Sequence, residues 1–401
     1  MSQSSEATVV LRPGKEKPVL NRHPWVFSGA IERVLGEAAD GDVARVISAG
    51  GEFLARGYVN RRSQITLRVL SWDEDEAIDA AFWERRLRRA LDGRRLLGLP
   101  GAETTACRLV NAEADLMPGL IVDQYGPYLA VQFLTLGIER WREAILDALE
   151  RVLAPAGIYE RDDVPVRRKE GLEERVGVLR GAEPPDELEI LERGRRFLVD
   201  IKKGQKTGFF LDQRDNRARV ARYAAGRQVL NAFAYTGGFA VYAAGAGAAG
   251  VVNVDTSADA LSLGRRNLAL NGLDSVPAEH LVGDVFHELR RYRATGRQFD
   301  LIILDPPKFA QSEAQVMAAT RGYKDINLLA MQLLRPDGVL ATFSCSGQVS
   351  ADLFQKVVFA AGVDAGRQAQ ILETLTAAGD HPVLLSFPES AYLKGLIVRV
   401  L

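Results

Sequence analysis

Two apolar runs in the C-terminal part of this chain each stop abruptly at reactive groups. The first reads Phe299-Asp300-Leu301-Ile302-Ile303-Leu304-Asp305-Pro306-Pro307-Lys308, and the second reads Gly338-Val339-Leu340-Ala341-Thr342-Phe343-Ser344-Cys345-Ser346. Such endings are expected where a parallel sheet opens into an active-site crevice. Asp305, held in a rigid Pro-Pro turn with Pro306 and Pro307, would present acceptors to an exocyclic amine of a planar base. Cys345 would supply a nucleophile. Carbon 5 of cytosine is itself a poor nucleophile, and addition of a thiolate to carbon 6 converts the ring to an enamine that attacks a methyl sulfonium. Asp305 would bind the N3 and N4 edge, and loss of the C5 proton would expel the thiolate. A lone cysteine at a strand end is usually a small buried residue. Its flanking Ser344 and Ser346 and the nearby Asp-Pro-Pro strand favour the nucleophile here. Lys308 is a basic neighbour that would ease ionisation of the thiol. Cys107 has no such company and is assigned no chemistry.

The elements that must position this pair begin near Leu191. Strands are expected at Gln228 to Ala232, Gly250 to Asp255, His280 to Gly283, Phe299 to Leu304 and Gly338 to Ser344, with helical spacings between them. That alternation is the signature of a doubly wound parallel sheet in an α/β, Rossmann-like domain. A last pair, Pro382 to Phe387 and Tyr392 to Leu401, lies too close for a crossover helix, so an antiparallel hairpin should close the sheet. Upstream, short strands punctuated by glycine between residues 7 and 72 suggest a small β-barrel. The acidic run Asp73-Glu74-Asp75-Glu76 marks its end. A helix from Ala80 to Leu97 then opens an α+β middle unit. The expected domains are residues 1–75, 76–190 and 191–401.

The cofactor signals lie at the ends of the first three parallel strands. A literal G-x-G-x-x-G at Gly245 to Gly250 is read as a decoy, because it ends a helix and leads into a strand, the reverse of the dinucleotide fingerprint. The better candidate is Val229-Leu230-Asn231-Ala232-Phe233-Ala234-Tyr235-Thr236-Gly237-Gly238-Phe239, where a strand ends and a tight turn starts a helix. Asp255 can accept hydrogen bonds from ribose hydroxyls. Asp284 is placed at the same sheet edge to meet an adenine amine, although both acids also read as helix caps. S-adenosylmethionine fits this cleft better than NAD, since the turn lacks a three-glycine pyrophosphate cradle.

Composition is ordinary for a globular protein, with 47% hydrophobic and 26% charged residues. The two cysteines imply no disulfide framework, and the four histidines show no ligand spacing, so no metal is expected. No apolar run suits a membrane, and the polar start Met1 to Glu6 does not read as a signal peptide, which points to the cytoplasm. Formal net charge is −1. One stretch, Glu192 to Arg222, is rich in Lys and Arg and reads as either a phosphate-facing stripe or a solvated surface. The basic face of the Ala80 to Leu97 helix reads more readily as solvated than as an RNA contact.

On these residues the chain resembles bacterial large-subunit (23S) rRNA cytosine-5 methyltransferases with an N-terminal PUA domain, the RlmI type. The resemblance runs nearly the whole length and is carried by Arg22-His23-Pro24-Trp25-Val26-Phe27-Ser28-Gly29-Ala30, Lys206-Thr207-Gly208-Phe209-Phe210-Leu211-Asp212-Gln213-Arg214, Tyr235-Thr236-Gly237-Gly238-Phe239-Ala240, Asp305-Pro306-Pro307-Lys308-Phe309, Arg321-Gly322-Tyr323-Lys324-Asp325-Ile326-Asn327 and Phe343-Ser344-Cys345-Ser346-Gly347. It implies a PUA RNA-binding barrel, an α+β linker domain and a class I methyltransferase domain. It also implies that Phe210, Gln213 and Arg214 lie over the cofactor, and that the partner is 23S rRNA or a large-subunit precursor, with a homodimer allowed. Asn231 replaces the acid common at the first strand of methyltransferases, as is usual in this family. The middle-domain stretch Asn111 to Gly119 is one residue longer than the family pattern.

Rival readings are an RNA methyltransferase of another base position, with Cys345 structural, and a catalytically idle RNA-binding assembly factor. A nicotinamide oxidoreductase ranks last.

Overall fold

The structure, a computed structural model, describes residues 6–310 and 312–401; the polar start Met1 to Ser5 lies outside them. The chain divides into two units. Among the described residues the first comprises 6–191, 199–211 and 379–390, and the second 192–198, 212–310, 312–378 and 391–401.

The first unit holds two sheets. Strands Thr8–Leu11, Trp25–Val26, Ile31–Leu35, Val43–Ile47, Phe53–Val59 and Leu67–Ser71 form a six-stranded sheet that is antiparallel except where Thr8 to Val10 run beside Arg45 to Ile47. Its apolar side gathers Val9, Leu11, Val46, Leu54, Val59, Leu67 and Val69. The strand Ile31–Leu35 escapes sequence reading because only two of its residues are even partly covered. The second sheet has five strands, Ala106–Asn111, Leu120–Tyr125, Tyr128–Phe133, Gly157–Arg161 and Val176–Gly181. The helix Ala80–Arg95 packs on it through Phe82, Trp83, Leu87, Ala90 and Leu91. Asp79 starts that helix by accepting from the Phe82 amide at 2.8 Å.

In the second unit the elements are α1 (Arg214–Ala221), β1 (Gln228–Ala232), α2 (Gly238–Gly245), β2 (Gly250–Asp255), α3 (Ala258–Leu270), β3 (Ala278–Val282), α4 (Val285–Thr295), β4 (Phe299–Leu304), α5 (Val316–Leu333), β5 (Leu334–Ser344), α6 (Ala351–Ala365), β6 (Ala369–Thr376) and β7 (Lys394–Val400). The strand order is β3-β2-β1-β4-β5-β7-β6. The first five run parallel, and β7 inserts antiparallel between β5 and β6. Strand order reverses between β1 and β4, which is where doubly wound sheets open a crevice at their carboxyl ends.

The expected closing hairpin is there, but its partner differs. β7 pairs with Ala369–Thr376, and Pro382 to Phe387 carries only an isolated bridge within the first unit. The sequence Ala-Gln-Ile-Leu-Glu-Thr-Leu-Thr hides this edge strand because six of its eight residues are exposed, which erases the apolar alternation. Gly245 to Gly250 ends α2 and opens β2, as expected of a decoy. Among the described residues no helix is long and apolar enough to cross a membrane.

Candidate active site

β4 and β5 bring the two reactive strand ends side by side, because Leu304 lies opposite Thr342 in a parallel register. Beyond Leu304 the Asp305 amide still reaches the Ala232 carbonyl, at 3.5 Å. Pro306 and Pro307 have no N–H to continue the ladder, so the strand must stop there. Pro306 is buried, and Pro307 and Lys308 are exposed. The half-buried Cys345 follows β5, and its Sγ lies 3.9 Å from the Pro306 carbonyl, which the thiol can use as an acceptor.

The residues around Cys345 are locked from inside. Ser346 Oγ accepts from the Ala310 amide at 3.2 Å and lies 3.0 Å from Tyr323 Oη, while Ser344 Oγ accepts from the Ser346 amide at 3.3 Å. Ser344, Ser346 and Tyr323 are all fully buried. Lys394, opposite Ser344 on β7, donates from Nζ to the carbonyls of Ser346 at 2.7 Å and Val349 at 2.5 Å. Burial pushes the Lys394 ammonium down to about 8, against the pull of the neighbouring Cys345 sulfur and with help from Lys308. Sequence reading missed Lys394, whose only signal was a lysine inside an otherwise apolar final strand.

Asp305 is held from a third element. Gln213 Nε2 donates to Asp305 Oδ1 at 3.0 Å, and Gln213 is oriented in turn by Asn216, whose Nδ2 donates to Gln213 Oε1 at 2.6 Å and to the Thr376 carbonyl at 2.9 Å. Gln213 and Arg214 are both buried. Phe210 belongs to the first unit, where the Lys206 ammonium sits 4.6 Å from its ring centre.

The turn after β1 is backbone-strained. Phe233 (φ 60°) and Tyr235 (φ 47°) adopt left-handed conformations that side-chain-bearing residues rarely take, and Gly237 (φ 76°) follows. A Cβ on Gly237 would lie 3.2 Å from Gly264 Cα on α3, and one on Gly238 would lie 3.0 Å from Arg217 Cδ. Asp255 accepts from the amides of Tyr235 at 2.8 Å and Ser257 at 2.9 Å, tying the turn to the end of β2. Asp284 is exposed and caps α4 through the His287 amide at 2.9 Å. Asn231 is buried within β1 and donates to Asn253 at 2.8 Å. The turn fits the expected nucleoside cofactor on a separate observation: Thr236 Oγ1 is buried with no hydrogen-bond partner among the described residues, as suits a hydroxyl facing a polar ligand.

Much of the basic stretch Glu192 to Arg222 is exposed, including Arg196, Lys203, Lys206 and Arg219, but several of its charges are paired. Arg193 pairs with Asp215 at 2.7 Å, Arg217 with buried Glu192 at 2.6 Å and Arg222 with Glu373 at 2.6 Å, while Arg195 stacks 4.1 Å above the Tyr242 ring. In the first unit Lys202 is engaged by Glu183 and Asp186.

Comparison with known proteins identifies the domains and the family. A family model described as S-adenosylmethionine-dependent methyltransferase matches residues 153–394, and a PUA-like domain model matches residues 9–72. The ribosomal RNA large subunit methyltransferase I of Tolumonas auensis is 52% identical over 395 residues, covering 98% of this chain and 99% of its own. The protein of the same name from Klebsiella pneumoniae (strain 342) is 48% identical over 401 residues, covering 100% of both. A solved structure from Streptococcus mutans, designated a SAM-dependent methyltransferase, matches with a TM-score of 0.84 at 24% identity over 98% of this chain and 99% of that one, a likeness of fold. Full-length identity of this order, together with both domain matches, means that the chain belongs to the ribosomal RNA large subunit methyltransferase I family, with a PUA-like domain and a SAM-dependent methyltransferase domain.

Proposed function

We propose that this protein methylates carbon 5 of a cytosine in large-subunit (23S) rRNA, using Cys345 as a transient covalent nucleophile and Asp305 as the group that holds the base. Relatives at about half identity are named for methylation of large-subunit rRNA, which supports the substrate class. The observation that carries the chemistry is the placement of Cys345 Sγ 3.9 Å from the carbonyl of Pro306, in the turn that opens with Asp305.

Bound S-adenosylmethionine supplies an electrophilic methyl group on a positively charged sulfur. Asp255 would hold its ribose and Asp284 its adenine, with the Phe233 to Gly238 turn, Gln213 and Arg214 completing the pocket. Asp305 accepts a hydrogen bond from the N4 amine of the flipped cytosine, with Pro306, Pro307 and Lys308 alongside the base. The Cys345 thiolate adds to carbon 6, and the electron pair of the C5–C6 double bond moves to carbon 5, making it nucleophilic. After carbon 5 is methylated, a base takes its proton, the C–H electron pair restores the C5–C6 double bond, and the sulfur–carbon bond breaks with its pair staying on sulfur. The thiolate is thereby regenerated. Residues 1–75 would capture RNA, residues 76–190 would link, and residues 191–401 would catalyse, in the cytoplasm where ribosomes are assembled.

A target RNA carrying 5-fluorocytosine tests the mechanism, because fluorine cannot leave as the proton does. A denaturation-resistant complex that needs S-adenosylmethionine and maps to Cys345 is expected. Trapping that persists in Cys345→Ala, or maps to Cys107, would remove the nucleophile. Mass-spectrometric mapping of 5-methylcytosine in rRNA, with and without the protein, tests the substrate.

A further inference from the structure

One unexplained feature lies within the first unit. A cavity of about 410 Å³ opens between the end of the strand Leu67–Ser71 and the helix Ala80–Arg95. Four arginines line it, Arg22, Arg85, Arg86 and Arg89, together with Trp72. Trp72 is fixed by its indole N–H, which donates to the Val19 carbonyl at 2.9 Å, and the Arg22 guanidinium lies 5.4 Å from its ring centre.

The charges in this cleft do not cancel. Its acids are Asp73 and Glu76, so four guanidinium groups face two carboxylates. Glu76 is committed to Arg86 at 3.2 Å, Arg85 at 3.6 Å and the Ser71 hydroxyl at 2.5 Å. Asp73 accepts from the Asp75 amide at 3.0 Å. The other arginines of the helix each have an acid: Arg88 pairs with Glu84, Arg94 with Asp115 and Arg95 with Asp92. Arg89 is exposed and has no hydrogen-bond or ion-pair partner among the described residues. Burial, together with repulsion from Arg89 and Arg85, holds the Arg86 guanidinium below the usual arginine range despite Glu76. Like charges gathered without counter-charges cost free energy in the unliganded protein, and an anion in the cleft relieves that cost. The planar fork of arginine suits phosphate oxygens in particular.

We propose that this cleft seats a phosphodiester of the RNA substrate, held by Arg22, Arg85 and Arg89. The assignment deepens the rRNA reading and rests on it. It gives RNA-backbone contact to the helix Ala80–Arg95, whose basic face reads from sequence more readily as solvated.

Binding of a labelled large-subunit rRNA fragment to the full-length protein, titrated across a KCl series, tests this. Arg89→Glu, and more strongly Arg85→Glu/Arg89→Glu, should weaken RNA binding by roughly three- to tenfold per site near 0.1 M salt. Each should also flatten the slope of log K against log salt by about 0.7 to 0.9. S-adenosylmethionine affinity should not change. Arg95→Glu makes the same charge change outside the cleft and should act weakly. Equal effects of Arg95→Glu and Arg89→Glu would reduce the cleft to a net-charge effect and overturn it. Competition with inorganic phosphate or AMP separates the two sources of phosphate: micromolar binding of either, with RNA affinity indifferent to Arg89, would make the cleft a small-anion site and sink the RNA assignment. Wild-type protein that binds no large-subunit rRNA would remove the substrate reading and the cleft with it. Wild-type protein that binds it no better than Arg85→Glu/Arg89→Glu would remove the cleft alone.

Discussion

Lys394 Nζ donates to the Ser346 carbonyl at 2.7 Å, so an ammonium on the last strand fastens the residue that follows Cys345. The same ammonium is buried, and burial pushes it down to about 8. A cation there both positions the loop and favours a neighbouring thiolate.

Lys394→Met should therefore slow iodoacetamide labelling of Cys345 at pH 7.5 by several-fold and lower turnover, with S-adenosylmethionine affinity kept. Labelling at the wild-type rate would detach Lys394 from Cys345. The same group makes a stability prediction with a definite sign. Its folded pKa lies below that of a free lysine, so between about pH 8 and the ordinary lysine range near 10.4 the unfolded chain binds the extra proton. Its stabilising contribution is thus fully present above that range and is lost as pH falls through about 8. The thermal midpoint of wild type, relative to Lys394→Met, should rise from pH 8 to pH 10. A wild-type midpoint that falls relative to Lys394→Met over that range would contradict the assignment.

Gln213→Ala removes the donor at 3.0 Å from Asp305 and leaves Asn216 with only the Thr376 carbonyl as acceptor. A hydrogen bond to a charged group contributes about 1.5–3 kcal/mol, so single-turnover methylation should slow by about tenfold or more. Gln213→Glu, which puts a second carboxylate beside Asp305, should be worse still. Unchanged rates in both variants would show that Asp305 orients itself.

Asp255→Ala should weaken S-adenosylmethionine binding by about tenfold or more in calorimetry, since a charge-assisted acceptor is lost. The carboxylate also holds the Tyr235 amide at 2.8 Å, so part of the loss will come from a loosened turn. Asp255→Asn, which keeps an acceptor oxygen, is expected to lie between wild type and Asp255→Ala. Wild-type affinity in a folded Asp255→Ala protein would take the residue out of the site.

Gly237→Ala forces a side chain into a left-handed conformation and sets its Cβ 3.2 Å from Gly264 Cα. The backbone penalty alone is roughly 1–2 kcal/mol, to be read as a drop in the urea midpoint. Cofactor binding should fall with it. A neutral substitution would mean that the turn can relax.

Much of the catalytic unit was legible in the amino-acid sequence because its signals are local. Gln228–Ala232, Gly250–Asp255 and Phe299–Leu304 are largely apolar and largely buried strands, and the last two stop at the carboxylates Asp255 and Asp305. The decoy glycine motif was recognisable for the same reason, since helix and strand periods on either side of it fix its direction.

What only tertiary structure decided are the relations between distant segments. Lys394 meets the Cys345 loop because β7 turns back between β5 and β6, and no local pattern specifies that insertion. β6 was unreadable because an exposed edge strand carries little apolar alternation. The fate of the arginines followed the same rule: composition counts charges, but a charge is neutralised by whichever carboxylate the fold brings near it. So Arg217 found Glu192 and Arg222 found Glu373, while Arg89 was left facing a cleft that no run of sequence announces. Residue types and strand ends determined the chemistry available to this chain, and chain reversals over long separations determined which groups stand close enough to use it.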